Sequence, residues 1–77
     1  MLPSFLQRFF WDTHFETIDR ERNKNYIIAR LLELGDEAAI AWLVRHYSQN
    51  DLRQMVLTGR DLSPKSRHYW KFKYHVA

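Results

Sequence analysis

Residues 19–36 read DRERNKNYIIARLLELGD, and the fold class turns on how this stretch is read. Asp19 is a credible N-cap, Gly35 a helix stop, and Asp36 a cap for whatever follows, so the run from Arg20 to Leu34 fits one helix. Tyr26, Ile27, Leu31 and Leu34 recur at helical spacing as its apolar stripe, which leaves a polar face expected to be solvated.

Working outward, the same punctuation repeats. Asp36 to Tyr47 fits another helix, with Ile40, Leu43, Val44 and Tyr47 on one stripe. Trp42 falls off that stripe, beside Ala38, Ala39 and His46. Either this helix is covered on two sides, or Trp42 is presented to a partner. Ser48 to Asn50 read as a short polar turn, after which a helix to about Thr58 buries Leu52, Met55 and Val56 and stops at Gly59. Ser63 with Pro64 opens a closing helix, since proline is favoured at the first helical position. On the N-terminal side, Pro3 and Ser4 can open a short helix to about Phe10, and WDTHFETID reads as a turn-rich connection. No sustained period-two alternation or Asn-Gly turn argues for strands. The expected fold is all-α: a single domain over residues 1–77, built as a compact bundle of four to five short helices.

At 77 residues with no cysteine, the chain has neither disulfides nor thiolate metal sites, and its stability rests on a 45% hydrophobic, 16% aromatic composition. A core so small is compatible with a homodimer. The apolar opening MLPSFLQRFFW is broken by Gln7 and Arg8 and lacks a signal-peptide cleavage pattern, and no run reaches membrane-spanning length. A soluble, cytoplasmic protein without membrane attachment is expected.

Net charge is +3, and its distribution matters more than its size. Through Asp61, eight Lys and Arg face all nine carboxylates, so the excess sits in Lys65, Arg67, Lys71 and Lys73. On a helix, Tyr69, Phe72 and Val76 make one stripe with Trp70 and Tyr74 on its flank, while Arg67, His68, Lys71 and His75 share the far side. That basic row suits phosphates or an acidic partner; a solvated face near a helix C-terminus explains it equally well. The helix pair around Ser48-Gln49-Asn50 has helix-turn-helix proportions, in which Asn50, Arg53 and Gln54 would read base edges. Asp51 beside them and the single arginine favour ordinary helix packing. No catalytic, cofactor or metal site is expected: the four histidines are scattered, there is no phosphate loop or nucleophile elbow, and a turn explains Asp12, His14 and Glu16 more simply than a metal ion.

Several motifs together resemble a known family. Phe10-Trp11-Asp12 with Phe15, Tyr26-Ile27-Ile28-Ala29-Arg30, Gly35-Asp36, Trp42-Leu43, and Leu62-Ser63-Pro64-Lys65-Ser66 with Trp70 are similar to the pattern FWD, IIxRxLExGD, LSxKSxxFW of DUF6922, a family of short bacterial and archaeal proteins of uncharacterised function. The resemblance spans nearly the whole chain, departing at Tyr69 and in the basic ending KFKYHVA. Its members are often encoded beside nucleotidyltransferase toxins of the abortive-infection type. What the resemblance implies is an antitoxin-like or accessory role: binding such a toxin, repressing its operon, or both. It implies no catalytic residues.

Two functional expectations follow. The first is a non-enzymatic protein-interaction module working through exposed aromatics and the basic closing helix, with Trp42, Arg67, His68, Lys71 and His75 as candidate contacts. The second is a dimeric DNA-binding transcriptional regulator using that basic helix.

Overall fold

A computed structural model describes residues 2–59 and 62–73. Among them the architecture is all-α. A 3₁₀ helix at Ser4–Phe9 and a 3₁₀ turn at Phe15–Thr17 precede four α-helices: α1 at Lys24–Leu34, α2 at Glu37–His46, α3 at Gln49–Thr58 and α4 at Pro64–Lys73.

The helix starts and stops follow local chemistry. The Asp36 carboxylate accepts from the Ala39 N–H at 3.0 Å, and Ser48 Oγ accepts from Asp51 N–H at 3.0 Å, satisfying donors that a helix start leaves open. Gly35 and Gly59 end α1 and α3, their N–H groups bonding back to Leu31 and Met55 carbonyls. Gly35 also sits where the chain turns tightly into α2. A Cβ there would lie 2.5 Å from the Leu31 carbonyl oxygen and 3.0 Å from Ala39 Cβ.

The helix expected to start at Arg20 starts instead at Lys24. Asp19 does accept backbone N–H groups, from Glu21 at 2.9 Å and Arg22 at 3.3 Å, but they belong to a separate turn. Asn23 closes that turn, its Oδ1 accepting from Asp19 N–H at 2.8 Å, and α1 begins after it.

The core is arranged around α1. Ile27, Ile28, Ala29, Leu31 and Leu32 are all buried, and of its eleven residues only Asn25 and Leu34 are exposed. The expected solvated face is therefore absent, and Leu34 lies outside the core rather than in it. The 3₁₀ helix, α2, α3 and α4 all pack against this one helix.

In α2 the buried face is rotated from the expected stripe. Ala39, Trp42 and Leu43 are buried together with Tyr47, Ile40 is half-buried and Val44 is exposed. Trp42 is thus a core residue, 7% exposed, and not a surface contact for a partner. The cause is cover on two sides: α1 takes one face of α2, and the connection at residues 16–21 lies beside Trp42 and His46. The indole stacks on His46 at 4.6 Å and meets Tyr47 edge-on at 5.8 Å. The Tyr47 hydroxyl in turn donates to the Arg20 carbonyl at 2.9 Å, fixing the connection, and burial pushes its phenol up to about 12. In α3, Leu52, Met55 and Val56 are buried as the periodicity predicts.

The burial of Trp42 makes a direct prediction. Trp42→Ala should cost about 3–5 kcal/mol, as for other large core truncations, and urea denaturation should show this with no partner present. A midpoint unchanged from wild type would place the indole outside the core.

Candidate functional site

Two polar side chains of the buried helix α1 organise the rest of the surface. The first is Arg30. Its Nη1 donates to the Phe9 carbonyl at 3.2 Å and to Asp12 Oδ1 at 3.0 Å. Its Nη2 donates to Asp12 Oδ2 at 3.1 Å and to the Tyr26 hydroxyl at 3.0 Å. This two-pronged grip on a carboxylate is the geometry that guanidinium supplies and ammonium does not. It holds the Asp12 carboxyl below the usual carboxylate range and raises the guanidinium pKa.

The guanidinium also lies over the rings of Phe10, Trp11 and Tyr26, at 5.8, 5.2 and 5.1 Å from their centroids. Phe10 and Phe15 turn into the core, whereas Trp11, between them, is 69% exposed. The segment at residues 9–13 is therefore latched to α1 and holds an indole out to solvent. Asp12 is engaged by Arg30, and among the described residues no three His, Asp or Glu side chains gather as metal ligands.

The second is Glu33. Its carboxylate accepts the Ser63 N–H at 2.9 Å and the Ser63 hydroxyl at 3.0 Å, at the start of α4. Ser63 Oγ itself accepts from Ser66 N–H at 3.2 Å. In a capping box the reciprocal carboxylate stands three residues into the same helix; here Ser66 occupies that position, and the carboxylate comes from α1. The Ser63 N–H, with the Ser63 and Ser66 hydroxyls, lowers the Glu33 pKa from its ordinary 4.5.

The turn of α4 that Glu33 sets differs from the expected one. Trp70 is buried and donates its indole N–H to the Leu32 carbonyl at 2.8 Å, while Tyr69, expected on the packed stripe, is 54% exposed. Arg67, expected on a solvent-facing basic row, turns inward and donates to the Gly59 carbonyl at the end of α3. The cause is shared: Ser63, Ser66, Arg67 and Trp70 lie on one arc of the helix, and each finds a partner on α1 or at the end of α3. Of the remaining row, His68 is exposed and Lys71 half-buried, and His75 lies outside the described residues. Asn50, Arg53 and Gln54 are all exposed on α3, with Asp51 beside them in an ion pair to Lys24 at 3.4 Å.

Between α4 and the α1–α2 corner runs a groove of about 620 Å³. Leu32, Ile40 and Trp70 line it, Asp36 and Glu37 border one side, and Lys65 and Lys73 border the other. Asp36 is occupied twice, capping α2 and pairing with Arg8. The groove thus offers apolar area flanked by charges of both signs, which suits non-covalent binding of a side chain or short segment.

Sequence reasoning missed Arg30 and Glu33 as organising residues, although both are charged letters in the pattern IIxRxLExGD. The signal was their place within the apolar run Tyr26–Leu34, where a charge is costly unless it is paired.

Glu33 generates a pH prediction with a definite sign. Its folded pKa is depressed, so the unfolded chain binds the proton more readily. The clamp's contribution is complete above the unfolded value near 4.5 and lost as pH falls through the lower folded value. Wild-type stability should therefore fall in acid below that range, and the fall should be smaller in Glu33→Gln. Equal acid sensitivity in urea titrations of the two proteins would show that Glu33 carries no such linkage.

No curated protein and no solved structure matches the chain. Residues 5–56 match DUF6922, a family of unknown function, and the matched span takes in the Trp11 latch, α1, α2 and most of α3 but stops before Ser63 and α4. With well over half its length inside that match, the chain belongs to the DUF6922 family.

Proposed function

We propose that the protein is a non-enzymatic interaction module that binds a protein partner through Trp11 and the exposed aromatic side chains on the same molecule, Tyr69 and Phe5. The observation that carries this reading is the exposure of Trp11. The residue is 69% exposed while the segment around it is held by three Arg30 hydrogen bonds, one to the Phe9 carbonyl and two to the Asp12 carboxylate. A large ring held out to water by a fixed backbone has little conformational entropy left to lose on binding, and aromatic side chains of this kind dominate interface energetics. The resemblance to proteins encoded beside nucleotidyltransferase toxins supplies the partner class, and the role is then antitoxin-like or accessory.

A second reading, DNA binding as a dimeric regulator, is favoured by the exposure of Asn50, Arg53 and Gln54 along one face of α3. With Arg67 engaged at Gly59, its basic row is shorter than the charge distribution suggests. Salt separates the readings: contact with several phosphates makes log affinity fall by about 0.9 per log unit of salt for each phosphate neutralised.

The test begins with tagged purification at low salt and identification of co-eluting protein and nucleic acid, followed by titration of the purified partner. Trp11→Ala should weaken partner binding by about tenfold or more while leaving thermal stability near wild type, since little of the ring is buried. Unchanged affinity in Trp11→Ala and Tyr69→Ala would remove the aromatic surface. Retention of nucleic acid alone, with a steep salt dependence, would make the α3 reading primary.

A further inference from the structure

We propose that residues 62–73 form a detachable strap: α4 lifts from α1 as a unit while the body built by residues 2–56 stays folded, and in lifting uncovers Leu32 and the seat of Trp70. Among the described residues, twenty hydrophobic side chains are buried; eighteen of them lie between Leu2 and Val56, and Leu62 and Trp70 come from the strap. The body therefore keeps its own core when α4 leaves.

The docking face of α4 is unlike the others in the bundle. Among the described side chains it presents one indole together with the polar groups of Ser63, Ser66 and Arg67, and three polar ties fasten it: Ser63 to Glu33, Trp70 to Leu32, Arg67 to Gly59. Net hydrogen-bond stabilisation is modest because water competes for the same groups. One nitrogen works against docking outright, since Arg67 Nε is buried without a hydrogen-bond partner.

Undocking and melting of α4 are coupled. A ten-residue helix is marginal by itself in water, and this one takes half of its N-terminal cap from Glu33 on another helix. Once lifted, α4 loses the carboxylate that closes its first turn, which gives the strap two discrete states. The groove exists only in the docked state, because Lys65, Trp70 and Lys73 form its α4 side. Anything held in the groove therefore favours docking, and a partner needing the Leu32 face favours release. The strap stands on the contacts of α4 alone and does not require the aromatic binding surface proposed above.

Native-state hydrogen exchange on the intact chain tests this. Amides of residues 67–73 should exchange through an opening that depends weakly on denaturant, while those of Ile27–Leu31 and Leu52–Val56 exchange through global unfolding with the full dependence. Glu33→Ala should speed exchange in α4 by about tenfold with the α1 and α3 amides little changed. Trp70→Phe, which keeps most of the ring but removes the indole N–H, should act in the same selective way. Identical opening free energies and denaturant slopes for α4 and α1 in the wild-type protein would overturn the strap. So would α4 amides exchanging at unprotected rates in wild type, since no docked state would then exist.

Discussion

A helix enclosed on most of its circumference has few places to put a charge, and α1 carries three, Lys24, Arg30 and Glu33. For Arg30 and Glu33, set within its buried length, an unpaired charge would be costly. All three reach a different peripheral segment: Lys24 pairs with Asp51 on α3, Arg30 grips the backbone and carboxylate of residues 9–12, and Glu33 closes the start of α4. The need to satisfy these groups decides how the outer segments are seated. The apolar stripe brings the helices together, while the charges choose the register.

The three fastenings differ in strength for reasons visible in their chemistry. Lys24 and Asp51 are partly solvated and far apart for a hydrogen bond, so their pair contributes little. Arg30 combines a bidentate carboxylate with a carbonyl, a phenol and three aromatic faces, and the segment it holds also buries Phe9, Phe10 and Phe15. Glu33 acts on a segment whose described residues add Leu62 and Trp70 to the core. The N-terminal segment is consequently built into the body, and α4 is attached to it. This division follows the family match, which covers residues 5–56.

What could be read from the sequence was whatever chemistry is local. Asp36, Ser63, Pro64, Gly35 and Gly59 marked helix ends because a cap acts within three residues of itself, and the all-α class followed from them; Ser48, read as part of a turn to Asn50, instead caps α3 at Gln49. The buried set of α3 was legible for a similar reason: only one face of that helix is apolar. Trp42 was not, because a helix covered on two sides satisfies two different stripes and periodicity cannot say which neighbours exist. Tyr69 and Trp70 were exchanged for another cause. The apolar pattern of the closing helix points to Tyr69, but the indole N–H and the Arg67 guanidinium find carbonyls on α1 and α3 that no one-dimensional pattern contains.

The same reasoning explains why the candidate surface moved from one end of the chain to the other. Sequence alone placed binding on Trp42 and a basic closing row, taking off-stripe aromatics and clustered cations as the groups left for solvent. In the fold, Trp42 completes the core and Arg67 satisfies Gly59, so both are used internally. Trp11 took the opposite course. It stands between two phenylalanines that are both buried, yet the bidentate hold of Arg30 on the adjacent Asp12 fixes the turn so that Phe10 and Phe15 enter and the indole stays out. An apolar side chain that water would otherwise drive inward is kept outside by a charge pair one residue away. That conflict between local hydrophobicity and position is the feature of this molecule that packing does not account for, and it is where recognition of a partner would recover the apolar area left exposed.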